Sequence, residues 1–194
     1  MESYQLLFKT LAEWGSLSDS DKEIIHSRFK PVTFRKKARL IEAEEVSHSY
    51  VFISKGLARL YGYKDGEEKT LFFFKEGMFA GSIQSYLFGD PSSLVLEAME
   101  DIEGLEARKE DLEYAFQHSP AIARALMMYT QFRLTALLHY FSSFVLDTPE
   151  ERYEKFILRE PELFNRVPQH VVASFLGLTP VSLSRIRKRL QQKG

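Results

Sequence analysis

The chain has 194 residues, of which 44% are apolar and 27% are charged, proportions typical of a globular protein with one large or two small domains. It contains no cysteine, which excludes disulfides, thiolate metal sites, cysteine-ligated iron–sulfur clusters and a cysteine nucleophile. The formal net charge is −1, but the segment Leu163–Gly194 carries six basic residues and no acidic ones, so this end of the chain suits a polyanionic partner.

Two short helices and then a β-rich domain are predicted for the amino-terminal half. The helices are expected over residues 3–14 and 20–29, and Ser20 opens the second with a capping-box pattern. From Val32 to about Ala107 the apolar residues recur with a period of two between short turn signals, which indicates many short strands. This pattern predicts an antiparallel β-roll or jelly roll within a first domain of residues 1–118.

A long helix is predicted to follow over residues 119–146, where Ser119 can cap it and Pro120 suits its first position. It is apolar nearly all round, so its spare face is expected to meet a second copy of the chain. Arg133 near its centre argues against a membrane span, and no secretory signal is visible, so we expect a cytoplasmic protein without a membrane partner. The predicted dimer contacts are Tyr129, Phe132, Ala136 and Tyr140.

The carboxy-terminal domain, residues 147–194, has the residue spacing of a helix-turn-helix. Within Gln169–Lys188, the small residue Ala173 stands fifth, where two helices would cross closely, and Gly177 stands ninth, where a tight turn needs a positive φ. Thr179 can then cap the second helix. A small apolar core completes the motif: Val172, Leu176, Leu178, Leu183 and Ile186.

The second of these helices is predicted to enter the major groove of double-stranded DNA. At about 100° per residue, its exposed face carries basic residues and no acidic ones. Arg185 is placed to bond a base edge, whereas Lys188 and Arg189 suit phosphate contacts. The full set of predicted DNA contacts is Thr179, Val181, Ser182, Arg185, Lys188 and Arg189. The same face would also suit a basic helix that packs on another protein.

With the β-roll, the long helix and the helix-turn-helix in this order, the chain resembles the Crp/Fnr family of bacterial transcription regulators. The resemblance covers nearly the whole chain. It implies an α+β fold in which an antiparallel, cyclic-nucleotide-binding-like β-roll precedes a dimerisation helix and a helix-turn-helix domain. It also implies a homodimer that binds a palindromic operator through residues 180–191, RNA polymerase as a further partner, and either an unidentified small-molecule effector or none.

The expected ligand pocket departs from the family pattern. Cyclic-nucleotide members of the family hold the ligand with a Gly-Glu pair and, further along, an Arg-Ser pair. In this chain Gly81 and Ser82 stand in the first place, and Ser92 and Ser93 stand in the second. Because a serine hydroxyl cannot neutralise a phosphate, we expect no response to cyclic AMP.

A second departure lies in the predicted recognition helix. The family usually has an Arg–Glu pair near the start of this helix, where this chain has Pro180 and Val181, and only Arg185 matches a base-reading position. We therefore expect an operator that differs from the family consensus. Because the chain ends just after Lys193, the family's final β-hairpin wing is expected to be missing or minimal.

Two other classes of function stay open. A metal-dependent jelly-roll (cupin) enzyme needs clustered histidine and carboxylate ligands, but only His48 of the five histidines lies in the predicted roll. We predict no catalytic constellation, metal or cofactor, and His139 on the long helix suits packing better than haem ligation. A ligand-free interaction module would instead fill the roll with its own aromatic side chains: Phe72, Phe73, Phe74, Phe79, Tyr86 and Phe88.

Overall fold

The computed structural model describes residues 1–192. The last two residues of the predicted domain 147–194, on which the expectation about the wing rests, lie outside the described part. The chain forms two compact units. The first comprises Met1–Gly62 and Phe72–Phe132, and the second comprises Tyr63–Leu71 together with the chain from Arg133 onward. The tip of one hairpin thus groups with the carboxy-terminal half, which no sequence pattern indicated.

Eight β-strands within residues 1–192 form two four-stranded sheets, as the period-two pattern predicted. The strands are β1 (Lys30–Phe34), β2 (Arg39–Ile41), β3 (Ser49–Lys55), β4 (Ala58–Lys64), β5 (Glu67–Phe74), β6 (Phe79–Ala80), β7 (Val95–Ala98) and β8 (Ile102–Arg108). One sheet has the order β1-β8-β3-β6 and the other has the order β2-β7-β4-β5. The antiparallel β-roll is therefore confirmed.

The first unit has two apolar clusters, because the strands alternate their side chains between the two faces of each sheet. One cluster fills the space between the sheets and includes Ile53, Leu96 and Ile102. The other includes Phe52 and Leu105, which are fully buried beneath the helices. These helices are α1 (Glu2–Ala12), α2 (Asp19–Arg28), α4 (Lys109–His118) and the start of α5 (Pro120–Leu146), while α3 (Ile83–Phe88) links β6 to β7.

The capping of α2 differs from the prediction that Ser20 opens this helix. Ser18 is the N-cap: its hydroxyl accepts a hydrogen bond from the Asp21 amide at 3.2 Å, and the Asp21 carboxylate accepts one from the Ser18 amide at 2.8 Å. The hydroxyl of Ser119 also donates to Asp21 and accepts from the Ile122 amide at 3.0 Å. Ser119 therefore caps α5 as predicted. Its contact with Asp21, the partner of Ser18 in the capping box, favours Ser18 over Ser20 as the N-cap of α2.

The second unit is helical apart from the hairpin tip. It contains the rest of α5 and four further helices: α6 (Pro149–Arg159), α7 (Pro161–Arg166), α8 (Gln169–Phe175) and α9 (Pro180–Gln191). Its core is apolar and partly aromatic: Tyr153, Phe156, Leu163, Val171, Val172, Leu176, Leu183 and Ile186. None of the helices in residues 1–192 combines the length and the hydropathy that crossing a membrane requires.

Candidate functional site

The turn between α8 and α9 has the geometry that the residue spacing predicted. Gly177 has a φ of +68°, in the left-handed region that favours glycine. A Cβ atom at this position would lie 2.9 Å from a ring carbon of Phe144. The hydroxyl of Thr179 accepts a hydrogen bond from the Ser182 amide at 3.1 Å, so Thr179 caps α9. The helix-turn-helix is therefore confirmed.

The α9 helix has one buried and one exposed face. Leu183 and Ile186 are almost fully buried within the second unit. The opposite face exposes Val181, Arg185 and Lys188. Neither Arg185 nor Lys188 has an ion-pair partner among residues 1–192. Both cations are therefore accessible on the face that the sequence assigns to DNA.

Two other basic residues of α9 are engaged inside the second unit. The guanidinium of Arg187 donates to the side-chain oxygen of Gln169 at 2.9 Å and lies 5.1 Å above the ring of Phe164. Arg189 lies 3.4 Å from the carboxylate of Glu150 on α6. The sequence did not predict that Glu150 pairs with Arg189. Acidic residues are common in the first turn of a helix, whether or not they contact another element.

Arg152 of α6 forms hydrogen bonds with the backbone at the end of α8, a role that no sequence pattern indicated. Its guanidinium donates to the carbonyl oxygen of Leu176 at 3.2 Å and to that of Asp147 at 2.9 Å. It also lies 5.0 Å above the ring of Phe144. The ammonium of Lys155 donates to both carboxylate oxygens of Asp147 at 2.7 Å, and this contact holds the pKa of Asp147 below its usual range. Hydrogen bonds to backbone carbonyls cannot be predicted from residue types, because every residue has a carbonyl group.

The tip of the β4–β5 hairpin belongs to the same unit. The hydroxyl of Ser174 on α8 accepts from the Thr70 amide at 3.0 Å and donates to the Glu68 carbonyl at 3.2 Å. Asp65 and Gly66 both have positive φ, which is the conformation of a tight two-residue hairpin turn. One side chain of the helix-turn-helix thus forms hydrogen bonds with two backbone groups of the hairpin tip.

Two of the three serines predicted for the effector pocket form hydrogen bonds within the chain. The hydroxyl of Ser82 accepts from the Ser85 amide at 3.2 Å and caps α3. Ser92 is buried, and its hydroxyl donates to the Leu94 carbonyl at 2.9 Å and accepts from the Leu94 amide at 3.2 Å. Ser93 is exposed. The two hydroxyls that replace the family's charged residues are therefore committed to local backbone groups.

Gly81, the fourth predicted pocket residue, lies against the ring of Tyr50. A Cβ atom at Gly81 would overlap that ring, so only glycine fits. The ring of Tyr50 also contacts that of Tyr86, with 5.6 Å between centroids. Burial raises the pKa of Tyr50 to about 12, so its hydroxyl is neutral and supplies no charge to a ligand. No sequence pattern indicated this contact of Tyr50, because Tyr50 lies in β3, far from Gly81 in the chain.

The aromatic side chains predicted to fill the roll do so in part. Phe73 is buried, the rings of Phe72 and Phe74 lie 5.1 Å apart, and Phe74 packs on the cluster between the sheets. Phe79 packs on the cluster beneath the helices. Phe88 does not fill the roll, because it is exposed at the end of α3.

Two of the predicted dimer contacts on α5 are turned to their own chain. Tyr129 is buried, and its hydroxyl accepts from the Phe79 amide at 3.1 Å. The hydroxyl of Tyr140 donates to the Phe175 carbonyl at 2.6 Å, and the two rings stack with 4.6 Å between centroids. Both side chains thus have partners within their own chain, and their contact with a second copy stays a prediction.

The other two predicted contacts are less enclosed. Ala136 is half-buried, and Phe132 is exposed on one side while its ring lies 5.1 Å from that of Trp14. The opposite face of α5 exposes a stripe whose members recur at alternating steps of four and three residues. We call this stripe the seam, and it consists of Met127, Gln131, Leu134, Leu138, Phe141 and Val145. Its five apolar members are each more than half exposed.

The residues of a metal enzyme are not brought together. Among residues 1–192, no three histidine or carboxylate side chains are grouped as metal ligands. His48 lines a polar cleft of about 430 Å³ with Ser49, Glu106, Arg108 and Glu110. The hydroxyl of Ser49 donates to Glu106 at 2.7 Å. That the chain has no enzymatic activity stays a prediction.

Comparison with known proteins gives one family and a set of solved structures. Residues 31–119 match the cyclic nucleotide-binding domain family. No curated protein matches the chain by sequence. The c-di-GMP responsive global regulator CLP of Xanthomonas campestris is 19% identical, with a TM-score of 0.73 over 91% of this chain and 93% of its own.

Two further structures have the same fold. FixK2 of Bradyrhizobium japonicum is 21% identical, with a TM-score of 0.72 over 86% of each chain. A chain of Eubacterium rectale described as a transcriptional regulator of the crp/fnr family is 16% identical, with a TM-score of 0.71 over 92% of this chain and 85% of its own. At these identities the likeness establishes the fold, which spans both units.

Proposed function

Because residues 31–119 match the cyclic nucleotide-binding domain family, we propose that the chain is a homodimeric, DNA-binding transcription regulator of the Crp/Fnr type. The observation that carries the proposal is the exposed face of α9, where Arg185 and Lys188 stand beyond a capped turn. A cationic helix face of this kind suits the major groove, which is lined by phosphates. Such a regulator acts in the cytoplasm, with RNA polymerase as a further partner.

The exposed residues of α9 have different roles in the proposed complex. Arg185 lies one and a half turns into the helix and can bond a guanine through two parallel hydrogen bonds. Lys188 lies nearly a turn further and suits a phosphate, which sets register without reading sequence. Val181, Thr179 and Ser182 lie at the start of the helix, the part of a recognition helix that approaches base edges.

Selection of binding sites from a random DNA library tests this assignment. The wild-type chain should enrich a site with two-fold symmetry. Arg185→Ala should lose about 1–3 kcal/mol of discrimination at one base pair per half-site. Lys188→Ala should weaken binding to all sequences and lower the salt slope by about one. Ser184→Ala, also exposed on α9, is the control. Failure of the wild type to enrich any sequence would overturn the proposal.

The seam on α5 supports the homodimer. Apolar residues that recur every 3.5 positions form the contact line of a two-stranded coiled coil. Leu138→Glu places two like charges across this line and should give a monomer at micromolar concentration in the ultracentrifuge. Leu158→Glu is the matched control, since Leu158 is exposed on α6 outside the seam. A monomeric wild type would contradict this part of the proposal.

Regulation is proposed to be independent of cyclic AMP. Ser82 and Ser92 are engaged with backbone groups, and Tyr50 beside Gly81 is neutral, so no cation among these residues meets a ligand phosphate. CLP is described as c-di-GMP responsive, but that ligand is also anionic. Calorimetry with cyclic AMP, cyclic GMP and c-di-GMP should show no binding. Micromolar affinity with a matching gain in DNA binding would overturn this expectation.

A further inference from the structure

We propose that α3 of one chain packs against the first half of α5 in the second copy, which gives the dimer a contact outside the seam. This inference rests on the proposed homodimer and adds a surface to it. Ile83, Leu87 and Phe88 are 61%, 57% and 73% exposed, although α3 is only six residues long. A folded chain rarely leaves so much apolar surface together in water unless a partner covers it.

The chemistry of α3 favours an uncharged partner surface. The segment Gly81–Gly89 contains no charged residue, and loss of charge is typical of the buried centre of an interface. The span Ala125–Leu146 of α5 has the same character, since Arg133 is its only acidic or basic residue apart from a histidine. The chain therefore carries two apolar surfaces with almost no charge. In a dimer, each of them can pack against the other surface of the second copy.

The strand that leads into α3 contacts α5. The amide of Phe79 donates to the hydroxyl of Tyr129 at 3.1 Å, and their rings lie 5.4 Å apart. The N-cap of α3, Ser82, follows Phe79 by three residues, so about 10 Å of chain at most separates it from that contact. Tyr129 is flanked on α5 by the exposed Met128 and by Met127 of the seam. Around α5, the exposed Met128 lies between the buried Tyr129 and the seam, so a partner that covers both the seam and Met128 approaches the side of α5 from which the chain leads into α3.

The area of the seam also leaves room for a second contact. If each large apolar side chain has on the order of 150 Å² to bury, the five apolar seam residues supply roughly 450 Å² per chain. A stable interface usually buries about 800 Å² per partner. The three exposed side chains of α3 would add roughly 300 Å² on the same basis, which brings the total near that value.

Engineered cysteines can test the contact directly, because the native chain contains none. A tagged Leu87→Cys chain is mixed with an untagged Met128→Cys or Thr130→Cys chain, and a copper–phenanthroline oxidant is added. Met128 and Thr130 are both exposed and lie on the two sides of the seam. We expect a tagged–untagged disulfide with one of them. Ser93→Cys, exposed in the same unit, is the control and should give none.

Charge substitution gives an independent readout. Leu87→Glu and Phe88→Glu should each weaken dimerisation at least about tenfold, while Gln84→Glu on the same helix should leave it unchanged. Because all three side chains are exposed, unchanged circular dichroism should confirm folding. A wild-type dimer that neither crosslinks through position 87 nor responds to the charges would overturn this inference and leave the proposed function intact. A monomeric wild type would overturn both, and loss of RNA polymerase binding alone would assign α3 to that partner.

Discussion

The guanidinium of Arg189 lies 3.4 Å from the carboxylate of Glu150, and this pair links the end of α9 to the start of α6. Arg189 is one of the residues predicted to contact a DNA phosphate. In the proposed DNA complex, the carboxylate of Glu150 and a DNA phosphate would compete for the guanidinium of Arg189. The side chain of Arg189 is 60% exposed, and an ion pair this accessible to water is weak.

Replacing Glu150 should therefore strengthen DNA binding. In Glu150→Gln, Arg189 is released to a phosphate and one negative charge near the binding face is lost. Affinity should rise about two- to fivefold for every sequence, and the salt slope should steepen by about one. Fluorescence anisotropy at about 50 and 200 mM salt measures both. Glu154→Gln, exposed on α6, removes the same charge elsewhere. An equal gain in this control would contradict the competition.

The contact of Ser174 with the hairpin tip should be visible in hydrogen exchange. Ser174→Ala removes the acceptor of the Thr70 amide and the donor to the Glu68 carbonyl, which should cost about 1–2 kcal/mol. The Thr70 amide should then exchange faster, while amides in β3 and β8 keep their protection. Ser93→Ala, at an exposed serine, is the control. Unchanged exchange at Thr70 would show that the hairpin tip is held in some other way.

The turn glycine should be more costly to replace than a hairpin glycine. Gly177→Ala must adopt a positive φ and also displace Phe144, so it should lose about 2–3 kcal/mol. Gly66 has a φ of +79° but open space around it. Gly66→Ala should therefore lose only about 1–2 kcal/mol. Urea unfolding followed by circular dichroism measures both. Equal losses would mean that Phe144 moves aside without cost.

Asp147 should make the second unit sensitive to acid. The hydrogen bonds from Lys155 and then Ser143 lower its pKa in the folded chain, while the unfolded value is about 3.9. A lowered pKa stabilises the fold above the unfolded value, and this contribution is lost as the pH falls from about 4 through the folded value. As the pH falls below about 4, the urea concentration at the midpoint of unfolding should therefore fall less steeply in Asp147→Asn than in the wild type. Asp90→Asn, in the exposed loop after α3, should follow the wild type.

The sequence by itself determined that a β-roll precedes a long helix and a helix-turn-helix. Gly177 and Thr179 act through their own φ angle and their own hydroxyl, and such local requirements can be read from residue type and spacing. The alternation of apolar residues predicted the β-roll for the same reason, since the two faces of a strand follow from its geometry. The exposed Arg185 followed from counting angles around one helix.

Only the tertiary structure decided which neighbours the polar groups have. Because α5 is apolar nearly all round, its periodicity could not predict that the hydroxyls of Tyr129 and Tyr140 form hydrogen bonds with other elements of the same chain. The pair of Arg189 with Glu150 and the contact of Ser174 with Thr70 join residues far apart in the chain. Such contacts depend on how elements pack, and a single polar contact leaves no periodic pattern in either partner's sequence.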